Sequence, residues 1–594
     1  MTDPALLEVE NLRVAYGDLV AVRDLSFALA PARCLGVIGE SGAGKTQAFL
    51  ALMKLLPDRA HVGGVARLRG QSLLDTAATS YRGRDAAMIF QDPLSSLTPH
   101  LTIGDQVAEP LVTHRGQGWK EARLQAARLL DQVRMNDIPR RLRQYPHELS
   151  GGMRQRAMIA MALACDPPLL IADEPTTALD VSVQAQLLAL LRELMRERRM
   201  ALALITHDMG VIAALADDVL VMRQGSVVER GPVARLLGQP AHEYTRALLA
   251  AMPRMDGAVP VAPAITADTP LAVRGLTVRY RVRRHSSWRT QQLVAVEDAS
   301  FELHAGEALG VVGESGSGKS TLTRALLRLG PAAAGEVVWL GHTLREIEGR
   351  ALRELRATLQ IVFQDPFASL DPTMSAAECI AEPLRALRPG MDRQGRAAAV
   401  RRALEDVGLE ASFAARRSPT LSGGQCQRVA IARAMVLAPK LLVCDEAVSA
   451  LDVSVQAQIL ELLARIKREQ GTSLLFVSHN LAVVRQLCER VLVMYLGRIV
   501  EAGPTAQVFA APRHPYTRML LESVPLLDPQ AERARLQRLV ATGETPSQVE
   551  RPSGCAFRTR CPAAAPDCAR WRPELECVEE SHQVACLRWR ELRN

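Results

Sequence analysis

The sequence predicts an α/β fold: a nucleotide-binding core with an inserted helical subdomain, present twice. Three observations carry that prediction. A phosphate-binding loop occurs at Gly39-Glu-Ser41-Gly42-Ala-Gly44-Lys45-Thr46 and again at Gly313-Glu-Ser315-Gly316-Ser-Gly318-Lys319-Ser320. The motifs after each loop recur in one order, 272 to 274 positions apart, as two copies of one domain require. Short apolar runs also alternate with amphipathic ones: 169–172 and Ala201–Ile205 suit a buried parallel sheet, and 124–133 and 183–196 carry helical spacing.

Each loop follows an apolar run, Cys34–Ile38 or Ala308–Val312, and this strand-then-loop context makes the pattern specific. The glycines let backbone N–H groups wrap a polyphosphate. The lysine reaches the terminal phosphates, and Thr46 or Ser320 ligates magnesium. Two loops mean two nucleotide sites.

Further along, Leu169-Leu-Ile-Ala-Asp173-Glu174 and Leu441-Leu-Val-Cys-Asp445-Glu446 are apolar strands ending in two carboxylates. Acids at the C-terminal end of such a strand face the ligand crevice of an open α/β sheet. The aspartate suits a place just outside magnesium's own ligands. The glutamate can polarise an attacking water, a role worth roughly 10²–10⁴-fold in rate. An acid pair after a strand can also be a plain helix cap, but the upstream loop favours the catalytic reading. Ser150-Gly151-Gly152 and Ser422-Gly423-Gly424 each open a helix, where backbone donors and the dipole bind phosphate.

At 594 residues the chain is too long for one core. No stretch of about 18 apolar residues is present to span a bilayer, and the N-terminus lacks the basic and apolar regions of a signal peptide. A cytosolic protein is expected. Net charge is +8 with a pI near 9.0, but the arginines are dispersed, so nucleic-acid binding is not expected. The densest basic stretch, Arg279 to Arg289 with Arg281, Arg283 and Arg284 inside it, falls in a ten-residue insertion between Tyr280 and Val296 and reads as a solvated loop. With eleven cysteines and no export signal, a disulfide framework is not expected.

At the Ser-Gly-Gly segments, lying between a phosphate loop and a Walker B strand, the chain resembles the ATP-binding-cassette (ABC) family over nearly all of residues 5 to 525. The resemblance implies two tandem P-loop ABC ATPase domains, each a RecA-like core with a helical subdomain. It divides the chain into 5–252, a linker 253–270, 271–525, and a small Cys-rich tail 526–594. It also implies that the cassettes pair head to tail within the chain. One ATP would then lie among Lys45, Thr46, Gln91, Asp173, Glu174 and His207 with Ser422, Gly423 and Gly424. The other would lie among Lys319, Ser320, Gln364, Asp445, Glu446 and His479 with Ser150, Gly151 and Gly152. Gln91 and Gln364 would sense the phosphate and join Thr46 and Ser320 around Mg2+. Tyr16 and Tyr280 match the adenine-stacking position, though a lone tyrosine near a strand is also plain packing. Asp180 and Asp452 match a loop that crosses the cassette interface. Both sites keep lysine, glutamate and histidine, so two hydrolysing sites are expected. Met153 and Cys426 depart from the family's usual glutamine and arginine.

Three features resemble the oligopeptide/dipeptide and nickel importer class. They are Gln91-Asp-Pro-Leu-Ser-Ser-Leu-Thr-Pro99 with its copy at 364–372, His242-Glu-Tyr-Thr245 with His514-Pro-Tyr-Thr517, and the tail's Pro552-Ser-Gly-Cys555-Ala-Phe-Arg-Thr-Arg-Cys561-Pro. The class implies two transmembrane permease subunits, contacted by the helical subdomains at about 92–148 and 365–420. It implies an extracytoplasmic solute-binding protein and a peripheral place on the cytoplasmic face of the bacterial inner membrane. The chain itself would be a fusion of two ATPase subunits, with cargo among dipeptides, longer peptides, glutathione and nickel chelates. In the tail, Cys555, Cys561, Cys568 and Cys586, with Cys577 and His582 between, could hold a 4Fe–4S cluster, zinc or nothing. Some members of the resembled class carry the cluster. A rival reading, a soluble twin-cassette protein acting on ribosomes or DNA, would want a long charged inter-cassette helix, and residues 253–270 are short and lightly charged.

Overall fold

The computed structural model describes residues 4–176, 179–257, 259–260, 269–283, 290–331, 334–449, 451–538, 546, 548, 551–579 and 581–592. The chain forms two compact units: Met1–Met252 with Pro525–Val540, and Pro253–Val524 with Ala541–Asn594. The stretch read from sequence as one tail is therefore shared between them. Half of the linker, residues 258 and 261–268, lies outside the described residues.

In the first unit the strands are β1 (Leu7–Tyr16), β2 (Leu19–Leu29), β3 (Cys34–Ile38), β4 (His61–Leu68), β5 (Gln71–Ser72), β6 (Ala86–Ile89), β7 (Leu169–Asp173), β8 (Ala201–Ile205), β9 (Asp218–Arg223) and β10 (Ser226–Pro232). They form one sheet in the order β5-β4-β1-β2-β10-β9-β3-β8-β7-β6. The segment β6-β7-β8-β3-β9 is parallel. Its strands are apolar along their middles, with charge only at the ends of β7 and β9, because both faces are covered. Alternate residues part to opposite cores: Leu170, Ala172, Leu202 and Leu204 enter one cluster with the helical subdomain, while Leu169, Ile171, Ala203 and Ile205 enter another with β1, β2 and the helix Lys45–Leu52. The inserted helices include Ile103–Arg115, Trp119–Gln132 and Gly151–Ala162. From the far end of the chain, helix Pro529–Arg538 packs on helices Val181–Arg198 and Met209–Leu215, burying Leu536 in the first of these cores.

The second unit repeats the plan with β11 (Leu271–Arg283), β12 (Thr290–Leu303), β13 (Ala308–Val312), β14 (Ala334–Trp339), β15 (His342–Thr343), β16 (Leu359–Val362), β17 (Leu441–Asp445), β18 (Ser473–Val477), β19 (Arg490–Tyr495) and β20 (Arg498–Pro504). Two tail strands, β21 (Glu576–Glu579) and β22 (His582–Val584), extend its main sheet, β16-β17-β18-β13-β19-β20-β22-β21. The tail is thus bonded into the cassette, with Glu501 opposite Val584 and Ala502 opposite Gln583. The insertion read as a solvated loop instead lengthens a hairpin: Arg281 and Arg283 lie within β11, and Arg281 pairs with Gln292. Arg284 and Arg289 lie outside the described residues.

His514 closes the second cassette fully buried, its Nδ1 accepting the Tyr516 N–H at 3.0 Å to cap helix Pro515–Glu522. Burial pushes its pKa down to about 4, against the Glu501 charge. The unfolded chain takes that proton near the ordinary value, so the contribution is whole above pH 6.5 and lost as pH falls from 6.5 towards 4. Thermal unfolding of the full chain should show a loss of up to about 1.4 kcal/mol per pH unit in that window. His514→Asn, which can cap without titrating, should flatten it.

Candidate active site

The loop after β3 forms the floor of the first site. Gly39 and Gly44 have φ of 151° and 92°, and a Cβ on either would fall 2.2 Å from the Met222 carbonyl oxygen or 2.3 Å from that of Ala21. Only glycine meets both constraints. Lys45, 7% exposed, turns Nζ back to the carbonyls of Gly39 at 2.6 Å and Glu40 at 2.9 Å. The second loop copies this, with Lys319 Nζ donating to Gly313 at 2.6 Å and Glu314 at 3.0 Å. Each ammonium is held against the loop it would serve.

In both units the loop hydroxyl is bonded to the strand-end aspartate. Thr46 Oγ1 donates to Asp173 Oδ1 at 3.1 Å, and Ser320 Oγ to Asp445 Oδ1 at 3.0 Å. Both aspartates are buried at strand ends. Burial pushes the Asp173 carboxyl up to about 6, against its Thr46 bond, and raises that of Asp445 as well. A hydroxyl beside a carboxylate is the oxygen donor set that suits magnesium.

The next residue is strained in both copies: Glu174 has φ 48° and Glu446 φ 50°. Neither is glycine, asparagine or aspartate, the types that visit this region readily. The turn aims each glutamate between two partners. Glu174 accepts from Gln91 Nε2 at 2.8 Å and lies 3.0 Å from His207 Nδ1. Glu446 accepts from Gln364 Nε2 at 2.9 Å and lies 3.5 Å from His479 Nδ1. Burial would raise the Glu446 pKa, but the bond and charge of His479 and the charge of Lys319 together hold it below the ordinary value. An ionised carboxylate so held can orient and polarise water.

Of the remaining site residues, Ser150 caps helix Gly151–Ala162 by accepting from the Met153 N–H at 3.4 Å. Ser422 caps Gly423–Met435 reciprocally, since Gln425 Oε1 also accepts the Ser422 N–H at 3.0 Å. Met153 cannot return that bond. At the next position Arg154 Nε donates to the Pro146 carbonyl at 2.8 Å, and Cys426 Sγ, fully buried, makes the corresponding contact with Ser418 at 3.5 Å. Tyr16 ends β1 and bonds Gln47 of the loop's own helix. Tyr280 sits in β11, half buried against the second unit's core. Ser41, Gly42, Ser315 and Gly316 lie within the two loops, and Asp180 and Asp452 head helices Val181–Arg198 and Val453–Gln470.

Sequence reasoning missed the tyrosine of each closing motif. Tyr244 OH accepts the Glu40 N–H at 3.1 Å, and Tyr516 OH accepts the Glu314 N–H at 2.8 Å. Each motif is itself anchored: Glu229 accepts from the Ala241 and His242 N–H groups, Glu501 from those of Arg513 and His514. The signal was the recurrence of His-x-Tyr-Thr itself.

The family model for ABC transporters matches residues 22–177 and 296–449, one match per unit. The chain belongs to the ABC transporter family. A second model, the oligopeptide/dipeptide transporter C-terminal region, matches residues 228–276 and 500–568 of this ABC protein. The glutathione import ATP-binding protein GsiA of Escherichia coli (strain K12) is 45% identical over 623 residues, covering 98% of this chain and 96% of the relative; GsiA of Shigella dysenteriae serotype 1 (strain Sd197) gives the same values. A solved dimeric post-hydrolysis state of the ATP-binding cassette MJ0796 bound to ADP and Pi is 27% identical, covers 40% of this chain and 98% of its own, and has a TM-score of 0.36. This ABC chain is the ATP-binding and ATP-hydrolysing subunit of an importer, with tandem cassettes. Among the described residues, no helix is long and apolar enough to cross a membrane.

Removing a tyrosine hydroxyl leaves a loop N–H without its acceptor, a loss of about 1–3 kcal/mol when buried. Tyr516→Phe should therefore raise the ATP concentration for half-saturation several-fold, and more than Tyr244→Phe, since Tyr516 is wholly buried and Tyr244 is 7% exposed. Equilibrium nucleotide binding to the full chain measures both.

Proposed function

We propose that the two cassettes clasp two ATP molecules between them, each completing the other's site, and that closure drives solute import. The observation that carries this is the duplicated Gln–Glu–His constellation, Gln91–Glu174–His207 and Gln364–Glu446–His479. Lys45 and Lys319 would leave their loop carbonyls for the terminal phosphates. Thr46 with Gln91, and Ser320 with Gln364, would hold Mg2+. Glu174 and Glu446 would orient the attacking water, and their histidines would hold the glutamates and the γ-phosphate in register. Ser150–Gly152 and Ser422–Gly424 would present helix N-termini to the opposite ATP. Tyr16 and Tyr280 would stack on the adenines.

Gln91 and Gln364 start the helical subdomains, so the same residues that touch the glutamates would pass the state of the phosphate to two permease subunits at the cytoplasmic face of the inner membrane. A solute-binding protein would deliver the cargo. The oligopeptide/dipeptide-type C-terminal match and the glutathione-importing relatives support peptides or glutathione as that cargo. Glu174→Gln and Glu446→Gln, each measured by ATPase rate, test the two-site reading. Each should lower the rate by about half or more, and the two together by roughly 10²-fold or more. A variant that leaves the rate untouched shows its site to be non-catalytic.

For the tail, Cys555, Cys561, Cys568 and Cys586 line one cavity with Phe557 and Arg588. Burial, against the Arg588 backbone bond and with help from the neighbouring sulfurs, pushes Cys586 up to about 11. No group of three or more His, Cys, Asp or Glu stands as a ready metal-binding set among the described residues. Four thiols on one cavity are nevertheless the donor type that a 4Fe–4S cluster takes, and we propose these four cysteines as its ligands. Bound by thiolates, a cluster would cross-link the tail. Protein purified without oxygen should absorb near about 400 nm and contain iron, and Cys561→Ser should diminish both. Colourless, metal-free protein rejects the assignment, and zinc alone replaces it with a zinc site.

A further inference from the structure

Arg560 lies 246 positions beyond Glu314 of the second phosphate loop, yet its guanidinium forks that carboxylate, Nη1 to Oε2 at 2.6 Å and Nη2 to Oε1 at 2.9 Å. Both side chains are 2% exposed. Burial works against the Arg560 charge, but the Glu314 bonds and charge outweigh it and raise its pKa. Around the pair stand Phe557, with the Arg560 guanidinium 5.8 Å from its ring centre, and the mutually packed rings of Tyr495 and Tyr516. The Glu314 backbone is engaged on both sides, its N–H by Tyr516 and its carbonyl by Lys319. The tail touches the loop again where Gln548 donates to the Gly316 carbonyl. In the first loop the matching Glu40 is only half buried.

We propose that Arg560 is a positioning residue for the second ATP site: it neutralises and holds Glu314 so that the loop can accept a triphosphate. A phosphate loop works by turning backbone N–H groups and one lysine towards an anion. A buried carboxylate within that loop would repel the anion, and at 2% exposure water cannot screen it. The bidentate fork cancels the charge and fixes the side chain in one geometry. The fork ties the second phosphate loop to the tail, so ATP binding there depends on the docked tail. The inference rests on residues 313–320 being an ATP loop.

The test is per-site nucleotide binding in the full chain, read by photolabelling with an azido-ATP followed by peptide mapping. Arg560→Met should weaken labelling of the second cassette by roughly tenfold or more, as removing one partner of a buried charge pair does, while the first cassette stays within twofold. Adding Glu314→Gln in that background should restore most of the loss, because no carboxylate is then left unpaired. A purely packing role predicts no such restoration. Unchanged second-site labelling in Arg560→Met, equal weakening of both sites, or a double variant as weak as the single one overturns the proposal. Failure of both cassettes to label in the unmodified chain would instead strike the ATP-site reading itself.

Discussion

The site depends on parallel strands ending level with one another. Asp173 pairs with Ile205, and Val37 pairs with the same Ile205, so β3, β8 and β7 finish at one height. The chain then turns over that edge in a linked way: the Glu174 N–H bonds the Ile205 carbonyl at 2.8 Å, and the Thr206 N–H bonds that of Val37 at 3.2 Å. The phosphate loop, the acid pair and the histidine come from three remote segments, and this register alone makes them neighbours. The second unit repeats the alignment through Val311, Val477 and Asp445. Strands buried on both faces cannot carry polar groups along their length. Polar chemistry therefore gathers where the strands stop.

That constraint explains what was legible in the residues. The core strands are short apolar runs, and the structure places β3, β8 and β13 over the same residues that the pattern picked. Lys45, Thr46, Asp173 and Glu174 could be found because their neighbours in sequence are loop glycines and strand ends. The left-handed backbone at Glu174 and Glu446 could not, since no glycine or asparagine marks it; tertiary bonds to Gln91, His207 and their copies hold it. The role of Tyr244 and Tyr516 was hidden for a related reason. A tyrosine some 200 positions from the loop it supports has no local signature, and only the repeat drew notice to it. Helix Pro529–Arg538 was concealed by composition: it is mostly polar and charged, and Leu536 carries its attachment to the first unit's core.

The two cassettes share a plan but not a balance of forces. At the head of the Ser-Gly-Gly helix, Gln425 completes a reciprocal cap where Met153 does not. One position on, a charged guanidinium bond in the first unit becomes a weak thiol contact in the second. A buried cysteine there removes a charge and leaves the helix to be held by packing, because thiols are poor donors. The first signature helix thus has the weaker cap and the stronger anchor, and the second the reverse. Similar backbone turns at Glu174 and Glu446 do not make the two sites energetically equal.

The tail adds to that inequality by entering the second unit as structure. β22 bonds β20, and His582 places Nε2 2.8 Å from Glu501, the same carboxylate that accepts the Arg513 and His514 N–H groups. Glu501 therefore joins tail, closing motif and sheet at one fully buried point. From there, His514 caps the helix that carries Tyr516, and Tyr516 supports the loop at Glu314. In the first unit the corresponding chain, Glu229 to His242 to Tyr244 to Glu40, runs closer to solvent. The same series of bonds is harder to disturb when each member is buried, because breaking any one leaves an unpaired polar group with no water to take it. Burial of this series makes the second phosphate loop the more rigidly supported of the two, and it does so through residues that never approach a phosphate.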